Sequence, residues 1–268
     1  MNETAGIAVE KEADYTGTRI GMWLFLFTEM LLFGGMFLLY SVYRSMYPQD
    51  FHSAANELKV ITGTVNTIIL ITSSLTMAIS ISAAQKGHKG LSIISLALTI
   101  LLGLLFLINK YLEWGDKFQH GIYPNSAGLL RQESGNVLFY GLYFVMTGLH
   151  GLHVLAGVIL LSVMLILLLN KRNDGRNYIK LENSGLYWHL VDIVWIFIFP
   201  ISVAAAGIDI GGLNVIAPLL IAALKALLVL SFFMHLKYEV VSLKIMLAAA
   251  VIILAIIICF TFFDVSFR

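Results

Sequence analysis

The sequence predicts an all-α fold, a polytopic membrane bundle of seven transmembrane helices, and three observations predict it. Hydrophobic residues make up 59% of the 268 and charged residues only 12%, about half the charged share usual in soluble proteins. Mean hydropathy is +0.87, more apolar surface than a soluble core of this size can hide. The apolar residues also gather into seven stretches, each long enough to cross a hydrocarbon layer of roughly 30 Å as a helix of about 20 residues. A β-barrel would need segments of about 10 residues with polar side chains at every second position, and none is present.

The first 18 residues mix Glu3, Glu10, Glu12 and Asp14 with Lys11 and read as a polar tail without a signal-peptide pattern. The spans then fall at 20–43, 60–84, 91–112, 137–169, 185–207, 214–236 and 241–263. The fourth is too long for one untilted crossing, so it tilts or protrudes. The connection at 113–136 contains Tyr123-Pro124-Asn125-Ser126 and reads as an ordered surface turn. Basic residues set the orientation, because cytoplasmic loops retain Lys and Arg. On the side of the N-terminus lie Lys11, Arg19, Lys86, Lys89, Lys171, Arg172, Arg176, Lys180, Lys237 and Lys244. The other side has Arg44, Lys59, Lys110, Lys117, Arg131 and Arg268. Ten against six places the N-terminus in the cytoplasm and, after seven crossings, the C-terminus outside.

Composition also excludes functions. With 17 basic and 16 acidic groups the net charge is +1, which gives no broad field for nucleic acid. The lone Cys259 cannot make an intrachain disulfide, a multi-cysteine zinc site or an iron–sulfur cluster.

Ionisable groups inside spans cost about 2.5 kcal/mol or more by insertion scales, so each needs a partner, water or a function. Glu29 lies mid-span in RIGMWLFLFTEMLLFGGMF and shares a helix face with Met22, Phe25, Phe33 and Met36; it is either a packed, hydrogen-bonded carboxyl or part of a proton or gas path. His150 and His153 in TGLHGLHV project from one face, with Gly141, Gly148 and Gly151 nearly opposite, where they allow close helix approach. Imidazoles at this spacing can share a metal ion, but no third ligand is close in sequence, and bonding to a buried carboxylate such as Glu113 of the preceding helix is the preferred reading. His189 and Asp192, again three apart, can bond directly, while Tyr187 and Trp188 mark the aromatic belt at the membrane interface. Lys225 is the deepest charge, roughly 17 Å from either end of its span at 1.5 Å per residue, too far to snorkel. It must pair inside a complex or be neutral.

No haem ligand set of facing histidines and no pair of thiolates for dinuclear copper can be found, and phosphate loops and hydrolase motifs are missing. A secondary transporter with Lys225 and Glu29 in its ion path would show inverted repeats or broken midplane helices. The first and last three spans do not repeat, and Pro200 and Pro218 lie near span ends.

RIGMWLFLFTEMLLF, the TVNT of 64–67, EWGDKF followed by TGLHGLHVLAG, and ENSGLYWHLVDIVWIF occur in this order over 19–200. Together they resemble subunit III of the haem–copper oxidases, cytochrome c or quinol oxidizing. The chain lacks the first helix pair of the longer members and is similar to the five-helix bacterial form. IAALKALLVLSFFMHLKYE is similar to the small bacterial subunit IV. The resemblance therefore divides the chain into a tail at 1–18, a five-helix bundle at 19–206 and a two-helix hairpin at 207–268.

It implies a non-catalytic accessory subunit in a bacterial cell membrane. The subunit would touch oxidase subunit I, accompany subunit II and hold phospholipid, while haem and copper reside in the partner. It would support complex integrity and proton supply during reduction of dioxygen to water, with cytochrome c or quinol donating electrons to the complex. Glu29 matches the family's intramembrane glutamate near bound lipid and the proposed oxygen entry. Glu113, His150, His153, His189 and Asp192 fall at polar positions of the same helices, with structural or proton-related roles and no metal. The same motifs would also fit the subunit III-like protein that accompanies nitric oxide reductases.

Overall fold

In the computed structural model, which describes residues 3–170 and 175–204, α1 (Glu3–Met46) begins inside the expected polar tail and runs on without a break. A short helix that hydrophobic periodicity alone does not announce, α2 (Pro48–Asn56), follows; Pro48 at its first position is preset for helical φ and has no amide hydrogen to leave unbonded. Then come α3 (Val60–Gln85), α4 (Lys89–Gln119), a single 3-10 turn (Leu129–Arg131), α5 (Ser134–Leu169) and α6 (Gly175–Ala204). Among the described residues every regular element is helical. Four helical segments, Leu24–Met46, Val60–Gln85, Lys89–Gln119 and Ser134–Leu169, are long and apolar enough to cross a membrane. The fifth expected span falls on α6. The sixth and seventh, with Lys225, lie outside the described residues.

α3 and α4 form the broadest contact, α5 packs on both α4 and α6, α6 also packs on α3, and α1 lies against α5 and α6. The α3–α4 reversal needs only three residues, and Gly87 at φ +78° supplies the left-handed backbone that a side chain resists. The 36-residue α5 is the over-long span. Its first turn is tied down from outside the helix, where the Gly135 amide donates to Asp50 Oδ2 at 3.1 Å, joining α2 to α5.

The interior combines apolar and aromatic packing, Phe37, Met77 and Phe106 among it, with polar side chains, and the outside is apolar. Ile61, Ile94 and Leu101 point outward, while Asn66, Ser73, Ser80, Ser92 and Thr99 are buried. Lipid tails are as apolar as leucine, so helices gain nothing by hiding leucine from them; close contact and interhelical hydrogen bonds hold the bundle instead. Along the α3–α4 seam Thr76 meets Thr99 at 2.7 Å, Ser80 donates to the Ser92 carbonyl at 2.9 Å, and Asn109 donates to Asn66 at 3.0 Å.

Two sequence expectations change here. Trp188 does not sit in an interfacial belt. It is 1% exposed, its ring faces Gly103 of α4 and Gly157 of α5, and its indole N–H donates to Ser73 Oγ at 3.1 Å. A buried indole needs that acceptor, and α3 provides it. Nor do the α5 glycines act as a set: a methyl added at Gly141 or Gly151 would meet nothing within 4 Å, whereas at Gly148 it would reach the Trp114 ring. The close approaches are made at Gly103 and Gly157 instead.

Candidate functional site

The polar residues inside the bundle form three groups. In the first, α1 and α5 meet through Glu29 and His153, whose Oε2 and Nε2 are 2.8 Å apart. Two turns of hydrogen-bond logic fix its chemistry. His153 Nδ1 lies 2.7 Å from the Leu149 carbonyl, which can only accept, so Nδ1 carries a hydrogen. The Nε2···Oε2 contact must then hold a proton as well, on either the imidazole or the carboxyl. Tyr187 of α6 donates to the His153 carbonyl at 3.0 Å, and the edges of Phe33 and His153 meet with centroids 5.4 Å apart. Glu29 and His153 remain 14% and 15% exposed, so this proton-bearing pair lies at the bundle margin. Of the two readings of Glu29, the geometry gives it a partner.

The second group lies where α3, α4, α5 and α6 converge near the α2 end of the bundle. Lys110 Nζ donates to both Glu113 oxygens, at 3.0 and 3.1 Å, and to Tyr143 Oη at 2.8 Å. Tyr143 in turn donates its hydroxyl to Glu113, closing a three-membered ring of hydrogen bonds. The ammonium also lies over the Tyr143 and Trp195 rings, 4.9 and 5.2 Å from their centroids, where each ring quadrupole attracts it. A cavity of about 20 Å³ adjoins the ring, bordered by Lys59, Gly63 and Thr147. One turn further out, Lys117 lies over Tyr140 and Tyr143, Tyr140 donates to Glu57 at 2.5 Å, and Lys59 pairs with Asp116 at 2.7 Å.

This group corrects the sequence reading in two ways. α4 continues to Gln119, so Glu113, Asp116 and Lys117 belong to a helix and the surface connection shrinks to 120–133. Lys110 and Lys117, counted for orientation among the basic residues of the outer side, are 6% and 8% exposed. The signal that would have found Lys110 is its spacing, three residues before Glu113 on one helical face. The expected His150–Glu113 bond is also overturned, because Lys110 and Tyr143 occupy the carboxylate. His150 is fully buried, with no hydrogen-bond partner on either ring nitrogen among the described residues. It stands edge-on to Phe106 and beside Trp195, at 5.5 and 5.2 Å between centroids.

The third group is centred on α6. His189 Nδ1 lies 2.7 Å from Ser74 Oγ, and His189 and Asp192 are 2% and 1% exposed. Trp195 donates to Thr67 Oγ1 at 3.1 Å, which gives the TVNT stretch a role in seating α6. No set of three or more His, Cys, Asp or Glu side chains among the described residues is arranged to hold a metal. The groups can hold helices together and carry protons locally.

A polytopic helical membrane protein in which Glu29 and Glu113 are bonded to its own basic and hydroxyl side chains is thus defined by fold and site. Residues 5–207 match the family model for cytochrome c oxidase subunit III, and the chain belongs to that family. Residues 191–259 match prokaryotic cytochrome c oxidase subunit IV. Cytochrome bo(3) ubiquinol oxidase subunit 3 of Pseudomonas aeruginosa is 30% identical over 69% of this chain and 83% of its own length. Cytochrome c oxidase subunit 3 of Corynebacterium diphtheriae is 31% identical over 67% and 84%. The heme-copper oxidase subunit I+III of Aeropyrum pernix is 29% identical over 68% of this chain and 22% of its own. The chain is accordingly an accessory subunit III of a haem–copper terminal oxidase. No relative named here is a nitric oxide reductase.

Proposed function

We propose that this subunit sits against oxidase subunit I in a bacterial cell membrane with its N-terminus in the cytoplasm, stabilising the complex and keeping proton supply matched to electron supply. The observation that carries this is the 2.8 Å contact between Glu29 Oε2 and His153 Nε2, which joins a mid-span carboxyl of α1 to an imidazole of α5. Glu29, His153, His189 and Asp192 are assigned proton- or lipid-related positions, and Glu113 with Lys110 and His150 a structural one. The existence of a subunit I+III protein in a relative supports direct contact with subunit I. The overlapping subunit IV match supports reading 207–268 as a fused hairpin after a bundle at 19–206 and a tail at 1–18. Lys225 in that hairpin would pair with another helix of the complex. Haem, copper and the electron donor, cytochrome c or quinol, would belong to subunits I and II, and phospholipid would fill the grooves of this one.

The test is purification of the tagged chain from native membranes under mild detergent, followed by visible spectra and metal analysis. Co-purification in equal amount with a haem- and copper-containing subunit I that consumes oxygen is the expected result. Isolation of the chain alone, or with a copper-free partner that reduces nitric oxide, would overturn the proposal.

A further inference from the structure

We infer that the α3–α4 hairpin holds an anionic phospholipid at its turn, a site separate from the Glu29 and Glu113 groups; it rests on the reading of the chain as a lipid-holding membrane subunit and adds to it a place and a headgroup charge. A groove of about 520 Å³ lies there, lined by Ala78, Ile79 and Ser82 of α3, Lys86 and His88 of the turn, and Leu91 of α4. Ala78 and Ser82 stand one turn apart on α3, and two small side chains at that spacing leave a concavity on the helix surface. Its floor is firm, since Ile81 is 1% exposed and the Ser80–Ser92 bond fixes the hairpin beside it.

An apolar strip leads away from the groove towards mid-membrane. Leu75 and Ile79 on α3, and Leu91, Ile94 and Leu98 on α4, follow helical spacing, and all are exposed. A fatty acyl chain lying along them would find carbon at every turn, which a free phosphate ion would not need. At the other end the charge is of one sign. Lys86, His88 and Lys89 fall within four residues, and no acidic residue occurs between Glu57 and Glu113. Lys180 and Glu182, at the neighbouring end of α6, add one charge of each sign and leave that balance unchanged. Basic pockets between membrane helices at the headgroup level recognise anionic lipid, and the lysine stems reach that level while their methylenes stay in the apolar layer. Basic residues at a loop are also explained by topology alone. Topology does not call for a groove beside them or an apolar strip beneath them, and those two features commit the site to a lipid with a net negative headgroup.

The experiment places p-benzoylphenylalanine at position 79 in the whole complex, reconstituted in vesicles of phosphatidylglycerol and phosphatidylcholine. Intact mass of the subunit after irradiation is the readout. Adducts of phosphatidylglycerol should exceed its mole fraction, and the excess should fall roughly fivefold for each of Lys86→Gln and Lys89→Gln. The same photoprobe at position 101, an outward-facing site in mid-span, should report the bulk ratio in every variant. Adducts in bulk proportion at position 79, an excess untouched by the lysine variants, or crosslinks to residues 205–268 or to a partner subunit in place of lipid would each overturn the inference. Visible spectra of the same samples report whether haem is present, so a failure of the oxidase assignment is distinguished from a failure of the lipid site.

Discussion

At the scale of single residues, Lys110 is where energetics and sequence reading part. Counted at the sequence level only towards the charge balance of the outer side, it is the hub of a closed set of bonds with Glu113 and Tyr143, and both charged side chains are almost fully covered. Removing one member of a buried pair leaves an uncompensated charge and costs about 3–5 kcal/mol. Lys110→Met should therefore lower the melting temperature or yield of the complex sharply. Adding Glu113→Gln should recover part of the loss, because the remaining groups are neutral; a double variant no better than the single one would contradict this account of the cluster. The pair at the bundle margin predicts differently. Glu29→Ala removes the hydrogen-bond partner of His153 Nε2, yet both groups keep some contact with the outside. Assembly should survive, and the complex should complete fewer turnovers before inactivation, read as oxygen consumption over time at matched haem content.

At the scale of elements, packing explains why some expectations held and others did not. Hydrophobic runs are long-range signals, so the positions of α3, α4 and α5 were legible from apolar length alone. Pairing across helices was not, because it depends on rotation about each axis. TGLHGLHV announces two histidines on one face, but only contact with α1, α4 and α6 decides that His153 meets a carboxylate while His150 meets Phe106 and Trp195. α2 escaped for another reason: nine residues with mixed polarity resemble a loop until Asp50 is seen bonding the first turn of α5. An external cap of this kind is worth about 1 kcal/mol, so Asp50→Ala should reduce stability by that amount while Asp50→Asn loses less, measured by thermal unfolding of the complex. Trp188 gives a sharper test. A methyl at position 103 would lie 2.6 Å from its ring, and overpacking a filled interior costs about 1–3 kcal/mol. Gly103→Ala should destabilise, and Trp188→Phe in the same chain should relieve part of the clash although Ser73 loses its donor.

At the scale of the whole molecule, a subunit without redox groups can affect a reaction only through the partner that performs it. Removing it should leave the initial rate of oxygen reduction largely intact and shorten the period over which that rate lasts, because a metal centre short of protons lingers in reactive intermediates. Immediate collapse of the initial rate would assign the subunit a direct part in the chemistry; unchanged rate and unchanged lifetime would reduce it to an assembly factor. The family was legible because several ordered motifs had to coincide, each carrying a polar residue that a membrane span does not tolerate casually. The proposed division into bundle and hairpin rests on the resemblance, and Lys225 and its surroundings lie outside the described residues.

The separation between Glu29 and His153 along the chain is 124 residues, and this has a consequence for how the protein is made. A ribosome working at roughly 5–20 residues per second completes α1 well before α5 exists, so the carboxyl enters the membrane about 6–25 seconds ahead of its imidazole. During that interval α1 is a helix with a polar group at mid-depth and nothing of its own to bond it. It must stay beside the insertion machinery, or beside a chaperoning neighbour, until α5 arrives and releases it into the bilayer. Nascent chains stalled just before His153 should still crosslink from α1 to that machinery, and chains stalled after α5 has emerged should not. Release of a first helix would thus be timed by the arrival of the fifth.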